Sequence, residues 1–157
     1  MQSLATMHTL TPALETALAT GSAATVLVET LTHFTAQAGT VHRLGDDGQL
    51  QLAASHNIPP HIVAIVSTVP IGKGIAGLAA ERREPISLCN LQTDTTGHAR
   101  PAAKATGMEG SVAVPMLVAG ELRGVLGIAK ATAHDWSEAE KSELLAIAAR
   151  LGEAMGV

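Results

Sequence analysis

The segment VPIGKGIAGLAAERREPISLCNLQTD, Val69 to Asp94, decides how the rest of the chain is read. Its glycines at 72, 74 and 77 form a tight turn that leads into a helix running to about Arg83. Glu84-Pro85 stops that helix, because proline disfavours helical backbone in the residue before it. Ile86 to Cys89 is a short strand, and Asn90 to Gly107 is a polar loop interrupted by a brief helix around Pro101 to Ala105. Gly72 to Gly77 also matches G-x-G-x-x-G literally. A dinucleotide site would need a preceding strand in a βαβ unit and an acidic residue about 20 positions further on. Here the preceding stretch ends in Pro70, and Asp94 lies in a polar loop. The string is therefore read as a turn with close helix–sheet packing. A second option is that the amides of Gly72 to Ile75 hold a small anion at the helix N-terminus.

Working outward, residues 40–44 and 49–55 flank a Gly-Asp-Asp-Gly turn at 45–48, a β-hairpin signal that Pro59-Pro60 terminates. His61 to Val66 reads as a short helix. Upstream, Leu14, Leu18, Leu27, Leu31 and Phe34 recur at helical spacing, broken at Gly21-Ser22. Thr11-Pro12 and Ser22 are the two N-cap signals. Downstream, Val112 to Leu117 and Leu122 to Lys130 are strands joined at Ala119-Gly120. Ser137-Glu138-Ala139-Glu140 is a capping box that opens a final helix with Leu144, Ile147, Ala148, Leu151 and Met155 on one stripe. Hairpins separated by helices give an α+β fold around a central antiparallel sheet.

Composition narrows the function. In 157 residues, 46% are hydrophobic and 15% charged, against about 25% charged in average soluble chains. Such apolar content excludes disorder, and the longest apolar run, Val112 to Ala119, is far short of the roughly 18 residues a membrane span needs. Phe34 and Trp136 are the only aromatic residues, and the net charge is −4. Neither stacking platforms nor a basic footprint is present, so no nucleic acid partner is expected. Cys89 is the only cysteine, which excludes an internal disulfide and any multi-cysteine metal site. The first Lys or Arg is Arg43, so the N-terminus lacks the basic region of a secretory signal and a cytoplasmic location is expected.

Val69 to Asp94 resembles the core signature of GAF domains, in which a Gly-x-Gly turn opens a helix whose end passes through a proline into a short strand and a loop. Gly110 to Ala129, GSVAVPMLVAGELRGVLGIA, is similar to that family's final hairpin, with its Val-Pro pair and Gly-Val-Leu-Gly strand. The likeness extends over about Ser22 to Met155, leaving residues 1–21 as an N-terminal helical segment and 22–157 as the GAF-like domain. It implies a five- or six-stranded antiparallel sheet, terminal helices on one face, and short helices and loops roofing a small-molecule pocket on the other. It further implies a stand-alone sensor that signals through a homodimer of its terminal helices or through a protein partner.

Family subtypes that use recognisable chemistry fit less well. A GAF-type methionine sulfoxide reductase uses several cysteines, and Cys89 alone provides no resolving thiol. Bilin attachment would want a histidine beside the cysteine, where Asn90 stands. The cyclic-nucleotide set requires a phenylalanine far from Phe34. No histidine is singled out for haem, and no cofactor or metal is assigned. Candidate ligand-binding residues are His42 on the first strand, Gly72, Gly74 and Ile75 at the glycine turn, Cys89 and Asn90 at the strand-to-loop junction, and Glu109 and Ser111 before the Val-Pro strand. An aliphatic pocket needs a few such polar groups to orient a ligand. Each also has an ordinary structural reading, as core histidine, turn glycine or small buried thiol. No catalytic set is assigned; a thiol-dependent redox enzyme using Cys89 is the alternative, with a ligand-free interaction module as the third reading.

Overall fold

A computed structural model of the protein describes residues 10–155. Two helices come first, α1 (Pro12–Ala19) and α2 (Ala23–Phe34). Thr11 and Ser22 cap them as expected, each side-chain oxygen accepting an amide hydrogen of the first turn, from Leu14 and Thr25 at 3.2 Å. Thr35, in the left-handed region at φ 54°, ends α2. The hairpin follows as β1 (Ala38–Leu44) and β2 (Leu50–His56), then α3 (Pro60–Val66) and β3 (Thr68–Val69). The glycine turn opens α4 (Gly74–Arg82), which leads to β4 (Ile86–Leu88), a single 3₁₀ turn (Leu91–Thr93) and α5 (Pro101–Lys104). The final hairpin is β5 (Ser111–Val118) and β6 (Glu121–Ala129), before the long α6 (Glu138–Ala154).

The strands form one antiparallel six-stranded sheet in the order β3-β2-β1-β6-β5-β4. Pairing β1 with β6 joins the two hairpins into one sheet, and Gly124 makes that pairing close. A Cβ there would strike the carbonyl oxygen of His42. The sheet is buried on both faces. On one, α1, α2 and α6 pack Leu14, Leu27, Leu31, Leu144 and Leu151 against Val41, Val114 and Leu126. On the other, Leu50, Ile75, Leu78, Leu91 and Val125 form a second core beneath α4 and its loops. The capping box at the head of α6 is formed in both directions, with Ser137 Oγ accepting from the Glu140 amide and the Glu140 carboxylate accepting from the Ser137 amide.

Two departures from the sequence reading have local causes. The helix after the glycine turn starts at Gly74, because Gly72 and Gly74 at φ 89° and 70° hold the chain in a turn. β3 is two residues long and carries no periodicity; only its pairing with Leu50 and Gln51 makes it a strand. The leucine stripes of the terminal helices face inward. Leu14, Leu18, Leu144 and Leu151 are 0–5% exposed and are consumed by the chain's own core. Among the described residues, no helix is long and apolar enough to cross a membrane.

Candidate functional site

A cavity of about 360 Å³ lies between the second face of the sheet and a roof made by α3, the start of α4 and α5. Its walls are aliphatic, with Ile62, Val66, Val69, Ile75, Leu91 and Met108 among them. No aromatic ring other than the His42 imidazole lines it, and no carboxylate does. Its polar groups are few: Thr40 and His42 from β1, Lys73 before α4, Arg100 and Thr106 on either side of α5, and Ser111 at the start of β5. An aliphatic chamber with scattered polar groups is the usual form of a small-molecule site.

His42 is the polar residue most deeply committed to this chamber, at 2% exposure. Alternation along β1 puts it on the same face as Thr40, away from Val41 in the opposite core. A bulge opposite, where the register of β2 skips Ala53 between Val41 and His42, marks the spot. The ring's Nε2 lies 2.8 Å from the Val66 carbonyl oxygen. A carbonyl can only accept, so Nε2 carries the proton and donates it. The neutral ring then has a bare acceptor at Nδ1, which is buried and without a partner. Burial lowers the His42 pKa below its ordinary value by disfavouring the charged form, and the bond to Val66 opposes this in part.

The start of α4 is built by glycine. Gly77, at ordinary helical φ, allows its turn of helix to close on the preceding loop: a Cβ would lie 2.5 Å from the Pro70 carbonyl oxygen. In return the Gly72 amide donates to the Gly77 carbonyl at 2.8 Å. Lys73, the N-cap residue, provides no side-chain cap. The amides of Gly74, Ile75 and Ala76 have no hydrogen-bond partner among the described residues. Against Gly74 lies the stem of Arg100, with Cδ 3.0 Å from where a Cβ would stand. The loop carrying Arg100 is turned by Asp94, whose carboxylate accepts from the Thr96 hydroxyl at 2.6 Å and from the amides of Thr96 and Ala99. Those bonds, the Thr96 hydroxyl first, hold the Asp94 carboxyl down at about 2.

Of the residues singled out from sequence, His42, Gly74, Ile75 and Ser111 line the chamber; Gly72, Cys89, Asn90 and Glu109 lie outside its lining. Gly72 is spent on the turn. Cys89 is exposed beyond the end of β4, its carbonyl accepting from the His134 amide at 3.0 Å. Asn90 Oδ1 accepts from the Gln92 amide and so caps the 3₁₀ turn. Glu109 contributes backbone bonds, donating to the Lys130 carbonyl and accepting from the Leu91 amide. Arg100, in the loop that follows Cys89, packs against Gly74. Sequence reasoning passed over Lys73, Thr40 and Thr106; Lys73 stood inside the glycine string, and the two threonines carry no distinguishing signal, the Thr106 hydroxyl being bonded to the Ala103 carbonyl and the Met108 amide.

The order of elements, the split into two cores and the roofed chamber coincide with a known architecture. The GAF domain profile matches residues 19–155. The chain belongs to the GAF domain family. A solved GAF domain from a phosphoenolpyruvate-protein phosphotransferase of Coxiella burnetii is 27% identical over 93% of this chain and 84% of its own, with a TM-score of 0.72. The corresponding GAF domain from Acinetobacter is 18% identical, covering 99% of this chain and 93% of its own, also at 0.72. A free methionine-R-sulfoxide reductase from Neisseria meningitidis, solved with its substrate, shares the fold at 14% identity and a TM-score of 0.73, over 91% of this chain and 86% of its own. No curated protein matches the sequence. GAF domains are typically small-molecule sensing or signalling modules, and a roofed chamber is the part of this one available for that role.

Proposed function

We propose that this GAF domain is a non-enzymatic sensor that takes a small, non-aromatic ligand into the chamber beneath α3, α4 and α5. The observation that carries the reading is the chamber itself: about 360 Å³, aliphatic, and holding a buried histidine with one unpaired ring nitrogen. Ligand entry alters the packing of the short roof helices, and that change is passed on through a second copy of the chain or a signalling partner. Against a thiol-dependent enzyme stands the position of Cys89, exposed and outside the lining of the chamber. Native mass spectrometry of gently purified protein tests the reading. The expected result is a small-molecule increment that denaturation removes, with the oligomeric state read from the same spectrum. A bare-chain mass that persists after incubation with a small-metabolite extract, together with an unchanged melting temperature, would refute it.

A further inference from the structure

We propose that the ligand is a short aliphatic carboxylic acid bearing a hydroxyl or amino group, held by its carboxylate at the Lys73–Arg100 end and by its donor hydrogen at His42 Nδ1. The inference rests on the sensor reading and adds the chemistry of what is sensed. Lys73 and Arg100 both line the chamber, and neither side chain has an ion-pair or hydrogen-bond partner among the described residues. Lys73 immediately precedes α4 and the Arg100 stem lies against Gly74, so both flank the N-terminus of α4, where three unpartnered amides and the helix dipole add to the positive potential. No carboxylate lines the chamber to neutralise them, in a chain whose net charge is −4. Two acids nearby lie outside the lining: Glu81 beside Gly72, and Asp94, whose carboxylate is taken up by Thr96 and the Ala99 amide. An anion entering here meets charge-assisted donors without displacing an internal partner.

A second group in the same chamber is independent of that end. His42 donates through Nε2 to Val66, so its Nδ1 can only accept. A buried acceptor left unpaired is costly, and a ligand hydroxyl or amino group supplies the missing hydrogen. His42 lines the chamber, and its buried Nδ1 is the ring nitrogen left without a partner. The stretch between the two ends is aliphatic, which suits an alkyl chain and provides nothing for an aromatic ring to stack on.

Calorimetric titration of the full chain with hexanoate, α-hydroxyhexanoate, ω-hydroxyhexanoate and hexanol tests the assignment. Hexanoate should bind about tenfold or more tightly than hexanol, as a charged hydrogen-bonding anchor requires, and high salt should shrink that preference. Lys73→Ala combined with Arg100→Ala, two exposed side chains, should reduce the preference to about threefold or less. One of the two hydroxy acids should exceed hexanoate by about fivefold or more in the natural chain. His42→Leu should erase that gain while leaving the preference for acid over alcohol. Equal binding of hexanol and hexanoate would overturn the anion assignment and leave the sensor reading standing. Equal binding of hexanoate and both hydroxy acids would overturn the role of His42. If none of the four binds, the inference fails; the native spectrum then shows whether some other ligand preserves the sensor reading.

Discussion

Gly77→Ala separates two explanations of the glycine string by the sign of its effect. Gly77 lies inside α4 with ordinary helical φ, so alanine would by propensity stabilise the helix by about 1 kcal/mol. The structure opposes this. The added methyl would stand 2.5 Å from the Pro70 carbonyl oxygen and 3.1 Å from the Gly72 nitrogen, both backbone atoms with no rotamer to escape into. Restoring ordinary contact requires the loop to move by about 1 Å, an overpacking strain of about 1–3 kcal/mol. Such a shift also strains the Gly72–Gly77 hydrogen bond at 2.8 Å, whose net worth is about 0.5–1.5 kcal/mol. Setting these against the propensity gain leaves a net loss of about 0.5–3.5 kcal/mol, or a melting temperature lower by about 1–14 °C for a domain of this size. Differential scanning calorimetry measures it, with Gly97→Asn as comparison: Gly97 has positive φ, nothing within 4 Å of its Cβ position, and a replacement that tolerates left-handed backbone. A Gly77→Ala variant as stable as the natural chain, or more so, would refute the close-approach account.

The remaining predictions concern burial, charge and capping. Unfolded histidine takes up a proton near pH 6.5 while buried His42 resists it, so the unfolded state binds more protons below that pH and stability falls. Urea unfolding between neutral pH and about pH 5 should show this loss, at most about 1.4 kcal/mol per pH unit from this one group, and His42→Leu should flatten it; parallel curves would refute the assignment. Leu144→Ala and Leu151→Ala should each cost about 2–5 kcal/mol in denaturant midpoints, because both side chains are enclosed in the core at 0–1% exposure. Leu144→Lys combined with Leu151→Lys should unfold the chain, visible by circular dichroism, because each puts an unpaired charge in that core. Ser137→Ala removes the acceptor at the head of α6 and should cost about 1 kcal/mol, read as a melting shift of about 2–4 °C.

Local grammar was legible from the sequence. Thr11, Ser22 and the Ser137–Glu140 box lie where their helices begin, because capping is settled within four residues of chain. The hairpins were readable from alternation and turn residues, and alternation also put His42 on the face of Thr40, which proved to be the chamber face. The glycine string was read as a turn with close helix packing, and the Pro70 carbonyl at Gly77 supplies the physical reason.

What only tertiary structure decided was which groups share a space. β3 exists because β2 offers it a partner, a pairing that two residues cannot advertise in sequence. Cys89, Asn90 and Glu109 were grouped with the pocket because they stand beside pocket-forming strands in the chain. One residue past the end of a strand, though, the backbone can turn a side chain to solvent, as it does at Cys89. Lys73 and Arg100 are 27 positions apart and line one chamber because the loop that Asp94 turns brings the Arg100 stem against Gly74. Likewise, the stripes on α1 and α6 announce that leucines will be buried, but not against what. Hydrophobic burial is non-directional, and one sheet face was wide enough to take both stripes within a single chain.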